Sequence, residues 1–232
     1  MREAIVLSGG LGTRLRSIVP DLPKSMASIG GRPFLEILLK NLAKKGFKRV
    51  ILSLGYLAEK IIAHFGSSFA GMELHYVIEE SPLGTGGAIR LALSACSQDH
   101  AYVFNGDTFL DLEVDQIDEE WKLKKTPLVI AKFMQDTSRY GQLIADPTTH
   151  KLISFSEKGI SGQGLINAGC YLLNKTQLDS FKLNNSFSFE KDYLNKPETL
   201  NIFDVFVTKG VFIDIGVPED YLLAQSFLLD YQ

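Results

Sequence analysis

Residues 8–24 hold the densest potential for chemistry in the chain, reading Ser-Gly-Gly-Leu-Gly-Thr-Arg-Leu-Arg-Ser-Ile-Val-Pro-Asp-Leu-Pro-Lys. Gly9, Gly10 and Gly12 let the backbone turn sharply after the apolar run that ends at Leu7, with no Cβ to hold a bound group away. Successive backbone N–H groups in such a turn form a concavity suited to anions. Thr13 adds a hydroxyl, Arg14 a rigid fork of donors, and Lys24 a mobile point charge. Together they fit a triphosphate, although a glycine loop after a strand also serves as a plain tight turn. Neither standard phosphate loop is present. The dinucleotide fingerprint needs G-x-G-x-x-G where this loop reads G-G-x-G-x-R, and a Walker A loop needs its lysine directly after the last glycine.

A second loop runs Glu79-Glu80-Ser81-Pro82-Leu83-Gly84-Thr85-Gly86-Gly87-Ala88, between an expected strand and an expected helix. Thr85 is placed to cap that helix, whose first N–H groups suit an anion, and the glycines admit a flat heterocycle close to the backbone. Guanine offers two adjacent donors, which a carboxylate such as Glu80 accepts. The plain alternative leaves Glu79 and Glu80 as solvated surface charges. Two aspartates, Asp107 and Asp214, each follow an apolar run. Mg²⁺ prefers one or two carboxylates plus water and phosphate oxygens, which such a pair supplies. A lone strand-end aspartate also serves as a turn or cap residue.

Taken with these segments, Gly9-Gly10-Leu11-Gly12-Thr13-Arg14-Leu15 and Pro23-Lys24 resemble the G-G-x-G-T-R-L…P-K signature of the sugar-1-phosphate nucleotidyltransferases. The family usually continues P-K-P-M, where this chain has Pro23-Lys24-Ser25-Met26, keeping the lysine and losing one proline. Asn105-Gly106-Asp107 and Asp214-Ile215-Gly216-Val217-Pro218-Glu219-Asp220-Tyr221 are similar to the family's two metal-binding segments. Arg139-Tyr140-Gly141, Glu157-Lys158 and Asn167-Ala168-Gly169 are similar to its acceptor-side segments.

The resemblance implies a site residue by residue. Nucleotide contacts fall on Leu7, Gly9, Gly10, Gly12, Thr13, Arg14, Glu80, Pro82, Gly84, Thr85, Asn105 and Gly106. Sugar-phosphate contacts fall on Tyr140, Gly141, Glu157, Lys158 and Asn167. Asp107 and Asp214 are the implied Mg²⁺ ligands, and Arg14, Lys24, Asp107 and Lys158 the implied catalytic residues. The implied reaction joins an NTP to a sugar 1-phosphate, releasing pyrophosphate and an NDP-sugar. The E-x-P-L-G-T-G-G loop is similar to that of guanylyltransferases, so GTP and a GDP-sugar are expected. The branch making GDP-heptose for surface polysaccharide fits best. Mannose 1-phosphate with GTP, and glucose 1-phosphate with UTP or CTP, stay open. So does a non-catalytic regulatory protein of the same fold, which fold alone never excludes.

Composition limits the remaining choices. The chain has 232 residues, 45% of them apolar and 22% charged, enough for one substantial domain. A net charge of −3 and no basic aromatic-studded face argue against a nucleic-acid partner. No apolar run approaches the roughly 18 residues of a membrane span, and no leader precedes the first strand, so a cytoplasmic location is expected. Cys96 and Cys170 sit in apolar contexts and read as buried thiols. Strand and helix patterns alternate up to Asp107, which predicts an α/β fold with a doubly wound parallel sheet. The resemblance implies that this is a Rossmann-like mixed sheet of the nucleotidyltransferase (GT-A-like) type. Beyond Asp107 the strands Pro127–Phe133, Gly141–Ala145, Lys151–Phe155 and Leu165–Leu173 predict a mixed region with a small sugar-binding subregion. The expectation is one domain of single activity, residues 1–110 forming the nucleotide core and 111–232 the sugar-phosphate part. Apolar strands in the second half suit a homodimer.

Overall fold

The computed structural model describes residues 1–10, 12, 15, 21–156 and 161–231, the side chain at 230 excepted. The first strand, β1 (Arg2–Ser8), is apolar on both faces and enclosed along its middle, as a central parallel strand must be. Two short strands, β2 (Ser28–Ile29) and β3 (Arg32–Pro33), lead into helix α1 (Phe34–Lys44). Pro33 ends β3 and precedes the helix. Next come β4 (Phe47–Leu54), α2 (Ala58–Phe65), β5 (Ser68–Phe69), β6 (Met72–Ile78), α3 (Gly84–Ser94) and β7 (His100–Asn105). The strand-helix alternation read from the sequence is thus present.

The parallel part is ordered β7-β1-β4-β6, and its strands end level. Leu7 lies opposite Asn105 on one side and Ser53 on the other, while Leu54 lies opposite both Ser8 and Ile78. Every loop leaving these ends therefore opens on one edge of the sheet, where ligands of such folds bind. Period-two side chains divide the core. Val6, Leu52 and Phe104 face α1, α2 and α4 (Val114–Lys124), whereas Ile5, Ile51 and Val103 face α3 and the segment through Phe189 and Phe203.

The second half extends the same sheet. A short strand β8 (Thr108–Leu110) precedes α4, followed by β9 (Leu128–Met134), β10 (Gln142–Ala145), β11 (Leu152–Ser156) and β12 (Gly164–Asn174). β12 runs antiparallel to both β7 and β9, and the β10–β11 hairpin continues from its first residues. β13 (Asp204–Thr208) then pairs parallel with β9, and β14 (Phe212–Asp214) pairs antiparallel with β8. The final helix α5 (Pro218–Phe227) packs Ala224 beside Phe109, Ile215 and Leu228. Glu190–Leu194 winds as a single π-type turn. Cys96 and Cys170 are free thiols and buried as expected; burial pushes the Cys96 thiol up to about 12. Among the described residues, no helix is long and apolar enough to cross a membrane.

The Glu3 carboxylate is fully enclosed within this scaffold. Its side chain has no exposed surface, pairs with Arg49, and accepts backbone N–H bonds from Ser97 and Gln98, each at 3.0 Å. Removing one partner of such a pair strands the other charge, at a cost of roughly 3–5 kcal/mol. Glu3→Ala should therefore lower the urea unfolding free energy by about 3 kcal/mol or more. Arg49→Ala, which also strands a charge, should cost a similar amount.

Candidate functional site

Two cavities open on the carboxyl edge of the parallel strands. The first, about 600 Å³, is walled by the ends of β1, β4, β6 and β7. Of the residues expected at a nucleotide, Leu7, Gly9, Gly10, Gly12, Glu80, Pro82, Gly84, Thr85, Asn105 and Gly106 all line it. The second, about 520 Å³, lies between β7, β12 and the strands of the second half. Tyr140, Gly141 and Asn167 line this one, with Asp107 and Asp214. Lys24, Asn105, Asp107 and Gly216 border both cavities. Thr13, Arg14, Glu157 and Lys158 lie outside the described residues.

The two aspartates come together through backbone pairing. Asp214 on β14 lies opposite Thr108 on β8, and the next N–H, of Ile215, donates to the Asp107 carbonyl at 2.9 Å. Asp214 Oδ1 accepts from the Gly216 N–H at 2.6 Å. Lys24 reaches across from its 3₁₀ turn to pair with the Asp107 carboxylate. Lys24 and the Asp107 carboxylate thus stand where the cavities meet, with Asp214 on the wall of the second. The donor set suits Mg²⁺: two carboxylates on a cavity wall, with room for substrate oxygens.

A break in β12 shapes the boundary. Asn167 pairs with Ala131 and Tyr171 with Val129, so four steps along β12 oppose two along β9. Gly169 stands in this bulge with φ +65°, and a Cβ there would lie 2.5 Å from Asn105 Nδ2. Only glycine lets the bulge close on Asn105. Asn167 is held on both sides: its N–H donates to the Gly141 carbonyl at 2.8 Å, and its Oδ1 accepts from the Gly169 N–H at 3.0 Å. The turn at 139–141 is braced outward, because Arg139 pairs with Asp220 in the first turn of α5, 3.1 Å from Nη1 to Oδ1. Both residues fall in motifs, and both serve structure by holding the Tyr140 turn against the Asp214 segment.

The loop after β6 departs from expectation in one respect. Thr85 does not cap α3, whose capping position is Leu83 and carries no side-chain cap. Its hydroxyl donates instead to Glu190 Oε2 at 2.7 Å and accepts from the Phe189 N–H at 2.9 Å. The Gly86 N–H, read as an anion donor, is taken by the Phe187 carbonyl at 2.9 Å. The helix start is covered by chain from the second half.

The two glutamates of this loop differ. Glu80 is exposed at the rim, whereas Glu79 is half-buried, with Oε2 accepting from the Leu83 N–H at 3.0 Å. Its Oε1 abuts Gly9 so closely that a Cβ at residue 9 would collide with it. Burial pushes the Glu79 carboxyl up, with the Leu83 N–H opposing. Tyr140 is likewise raised, chiefly by burial and then by the charges of Asp220 and Asp214.

Several lining residues went unread in the sequence. Gly55 and Tyr56 follow β4 at the same edge, and that strand end was signal enough to include them. Phe155, Phe212, Ser188, Glu190 and Lys191 line the acceptor-side cavity. Nothing local marks them, since their placement depends on how β12 and α3 pack.

Known proteins agree with this architecture. The pattern of the nucleotidyl transferase family matches residues 3–231. A D-glycero-alpha-D-manno-heptose 1-phosphate guanylyltransferase of Aneurinibacillus thermoaerophilus is 42% identical over 230 residues, 99% of each chain. One of the same name from Campylobacter jejuni is 45% identical over 224 residues, 94% of this chain and 96% of the relative. The crystal structure of HddC from Yersinia pseudotuberculosis complexed with GMP-PN superposes with a TM-score of 0.86 at 40% identity, covering 97% of this chain and 98% of that one.

Proposed function

Because the chain belongs to the nucleotidyl transferase family, we propose that it transfers the guanylyl group of GTP to D-glycero-α-D-manno-heptose 1-phosphate, forming GDP-heptose and pyrophosphate. The observation that carries this reading is the junction of the two cavities at Lys24, Asn105 and Asp107. One cavity has a glycine-walled floor for a nucleotide, and the other offers polar side chains to a sugar. The near full-length likeness to guanylyltransferases supports the choice of base and acceptor.

The sugar phosphate is an anion at neutral pH and needs no base to attack the α-phosphorus. Among the described residues, no histidine lines either cavity. The work left to the protein is positioning and charge neutralisation, as in other phosphoryl transfers. Lys24 would exchange part of its contact with Asp107 for phosphate oxygens at the junction. Asp107 and Asp214 would hold Mg²⁺, which when bound neutralises phosphate charge. On sequence grounds, Arg14 and Thr13 would hold the leaving phosphates, and Glu157 and Lys158 the sugar phosphate. Tyr140, Gly141 and Asn167 would bound the sugar. For the base, Glu79 is better placed than Glu80 to accept from guanine N1–H and the 2-amino group. Its Oε1 lies against Gly9 on the wall of the first cavity and, among the described residues, accepts no donor. A cytoplasmic location and pairing of two copies through the exposed Phe133, Ile144 and Ile153 belong to the same proposal.

Pyrophosphate release with Mg²⁺ tests the reading, pairing GTP, UTP and CTP with heptose, mannose and glucose 1-phosphates. Fast release with GTP and heptose 1-phosphate alone is expected; a different preferred pair would replace the assigned substrates. Asp107→Asn and Lys24→Ala should each cut turnover by about 10²-fold or more, the scale of losing one electrostatic stabiliser. Near-normal rates in both would remove these residues from the mechanism.

Glu79 supplies a pH test. Its ionised form accepts guanine donors, so GTP affinity should weaken as pH falls through its raised pKa, above the usual carboxylate range. KM for GTP should rise on that acid limb, and Glu79→Gln should flatten it. A folded carboxyl pKa above the unfolded value disfavours the fold as pH rises through it. Glu79→Gln should therefore be at least as stable as the parent at neutral pH. A retained acid limb in Glu79→Gln would exclude this role.

A further inference from the structure

Glu190 falls in none of the motifs that point to the site, yet its carboxylate lines the second cavity and bonds to Thr85 on the wall of the first. Oε2 accepts from the Thr85 hydroxyl at 2.7 Å and from the Ser188 hydroxyl at 3.1 Å. Thr85 stands in the first turn of α3, on the nucleotide cavity wall. Oε1 accepts from the Tyr171 hydroxyl at 3.2 Å, and Tyr171 in turn accepts from Asn167 Nδ2 at 2.7 Å. Asn167 lines the acceptor-side cavity, as does Glu190 itself.

The direction of each bond is determined. A carboxylate only accepts, so Thr85, Ser188 and Tyr171 must all donate to it. Tyr171, having given its hydrogen to Glu190, can only accept from Asn167. The Asn167 amide is thereby fixed, Nδ2 toward Tyr171 and Oδ1 toward the Gly169 N–H. One remaining N–H hydrogen and one oxygen lone pair of Asn167 are left for a ligand. Tyr171 is fully buried, and burial first, then the Glu190 charge, keeps its phenol protonated. The backbone has its own attachment, with Gly86 N–H to Phe187 carbonyl and Phe187 N–H to Leu83 carbonyl, each at 2.9 Å. The carboxylate is therefore not what seats this segment on α3.

We propose that Glu190 is a positioning residue that orients Asn167 toward the sugar phosphate and the first turn of α3 toward the nucleotide, coupling the two halves of the site through one carboxylate. The inference rests on the guanylyltransferase reading above. It assigns Glu190 no contact with reacting atoms. Its influence passes through Tyr171 and Asn167 on one side and Thr85 on the other.

Steady-state kinetics on four variants test it, with thermal unfolding as the check on folding. Glu190→Ala should raise KM for both GTP and heptose 1-phosphate, each by about tenfold, the effect of roughly one lost hydrogen bond per side. Tyr171→Phe, which cuts only the acceptor branch, should raise KM for heptose 1-phosphate and leave KM for GTP within about twofold of the parent. Asn167→Ala should behave like Tyr171→Phe. The double variant Glu190→Ala/Asn167→Ala should show no higher acceptor KM than the worse single, because both changes break one path. Acceptor effects that multiply in the double variant, or a Glu190→Ala enzyme with both KM values unchanged, would overturn the proposal. A parent enzyme that releases no pyrophosphate from any pair would instead overturn the functional reading and this inference with it.

Discussion

The pairing of β12 with β7 is the constraint on which the site depends. Without it, the parallel strands would present a nucleotide-sized cavity with no acceptor wall. Cys170 pairs with Phe104 and Tyr171 with Val103, so β12 is docked onto the last parallel strand just before that strand ends. The bulge around Gly169 follows at once, at the height of Asn105. A continuous ladder would have carried β12 straight past the strand ends. The two-residue excess bends the chain there and aims Asn167 into the second cavity. Asn105 ends up shared by both cavities because the break leaves room for it and for nothing larger than glycine.

Charge follows the same geometry. The chain is net negative, yet its two proposed substrates are polyanions, so attraction must be concentrated at the junction. Lys24 and Asp107 are each partly enclosed, with 15% and 35% of their side chains exposed. In such a setting an ion pair orients its members without being worth much net stability, since desolvation offsets much of the attraction. That balance suits a lysine meant to exchange a carboxylate for a phosphate. A fully buried pair such as Glu3 with Arg49 would resist the exchange.

Most of this arrangement was legible in the sequence, and the reason is periodicity. β1, β4 and β7 carry apolar runs and β6 alternates, and their level ends follow from parallel pairing, so the first glycine loop and Asp107, just beyond those ends, had to share an edge. Asp107 and Asp214, more than a hundred residues apart, were singled out together by the family resemblance, since on the residues alone each read equally as a turn or cap residue. Thr85 was misjudged because the rule for helix starts is local, whereas from the far half the Phe187 carbonyl takes the Gly86 N–H and the Phe189 N–H donates to the Thr85 hydroxyl itself. Glu190 was invisible for the same reason. Its neighbours Ser188 and Phe189 carry no motif, and only the packing of β12 brings Tyr171 against Phe189.

Three glutamates set back from solvent separate structural from functional carboxylates by a single criterion, the number of donors already committed. Glu3 has Arg49 and two backbone N–H groups, has no exposed surface, and has no capacity or access for a ligand. Glu190 has three hydroxyl donors split between its oxygens, which makes it rigid and suits it to orient other groups. Glu79 has one backbone donor on Oε2 and, among the described residues, none on Oε1, which faces the glycine loop. Desolvation without full compensation is what lifts its pKa, and it is also what a ligand with two adjacent donors relieves. The least satisfied carboxylate is thus the one on the wall of the first cavity, whereas Glu3 is committed to the scaffold and Glu190 to the hydroxyls around it.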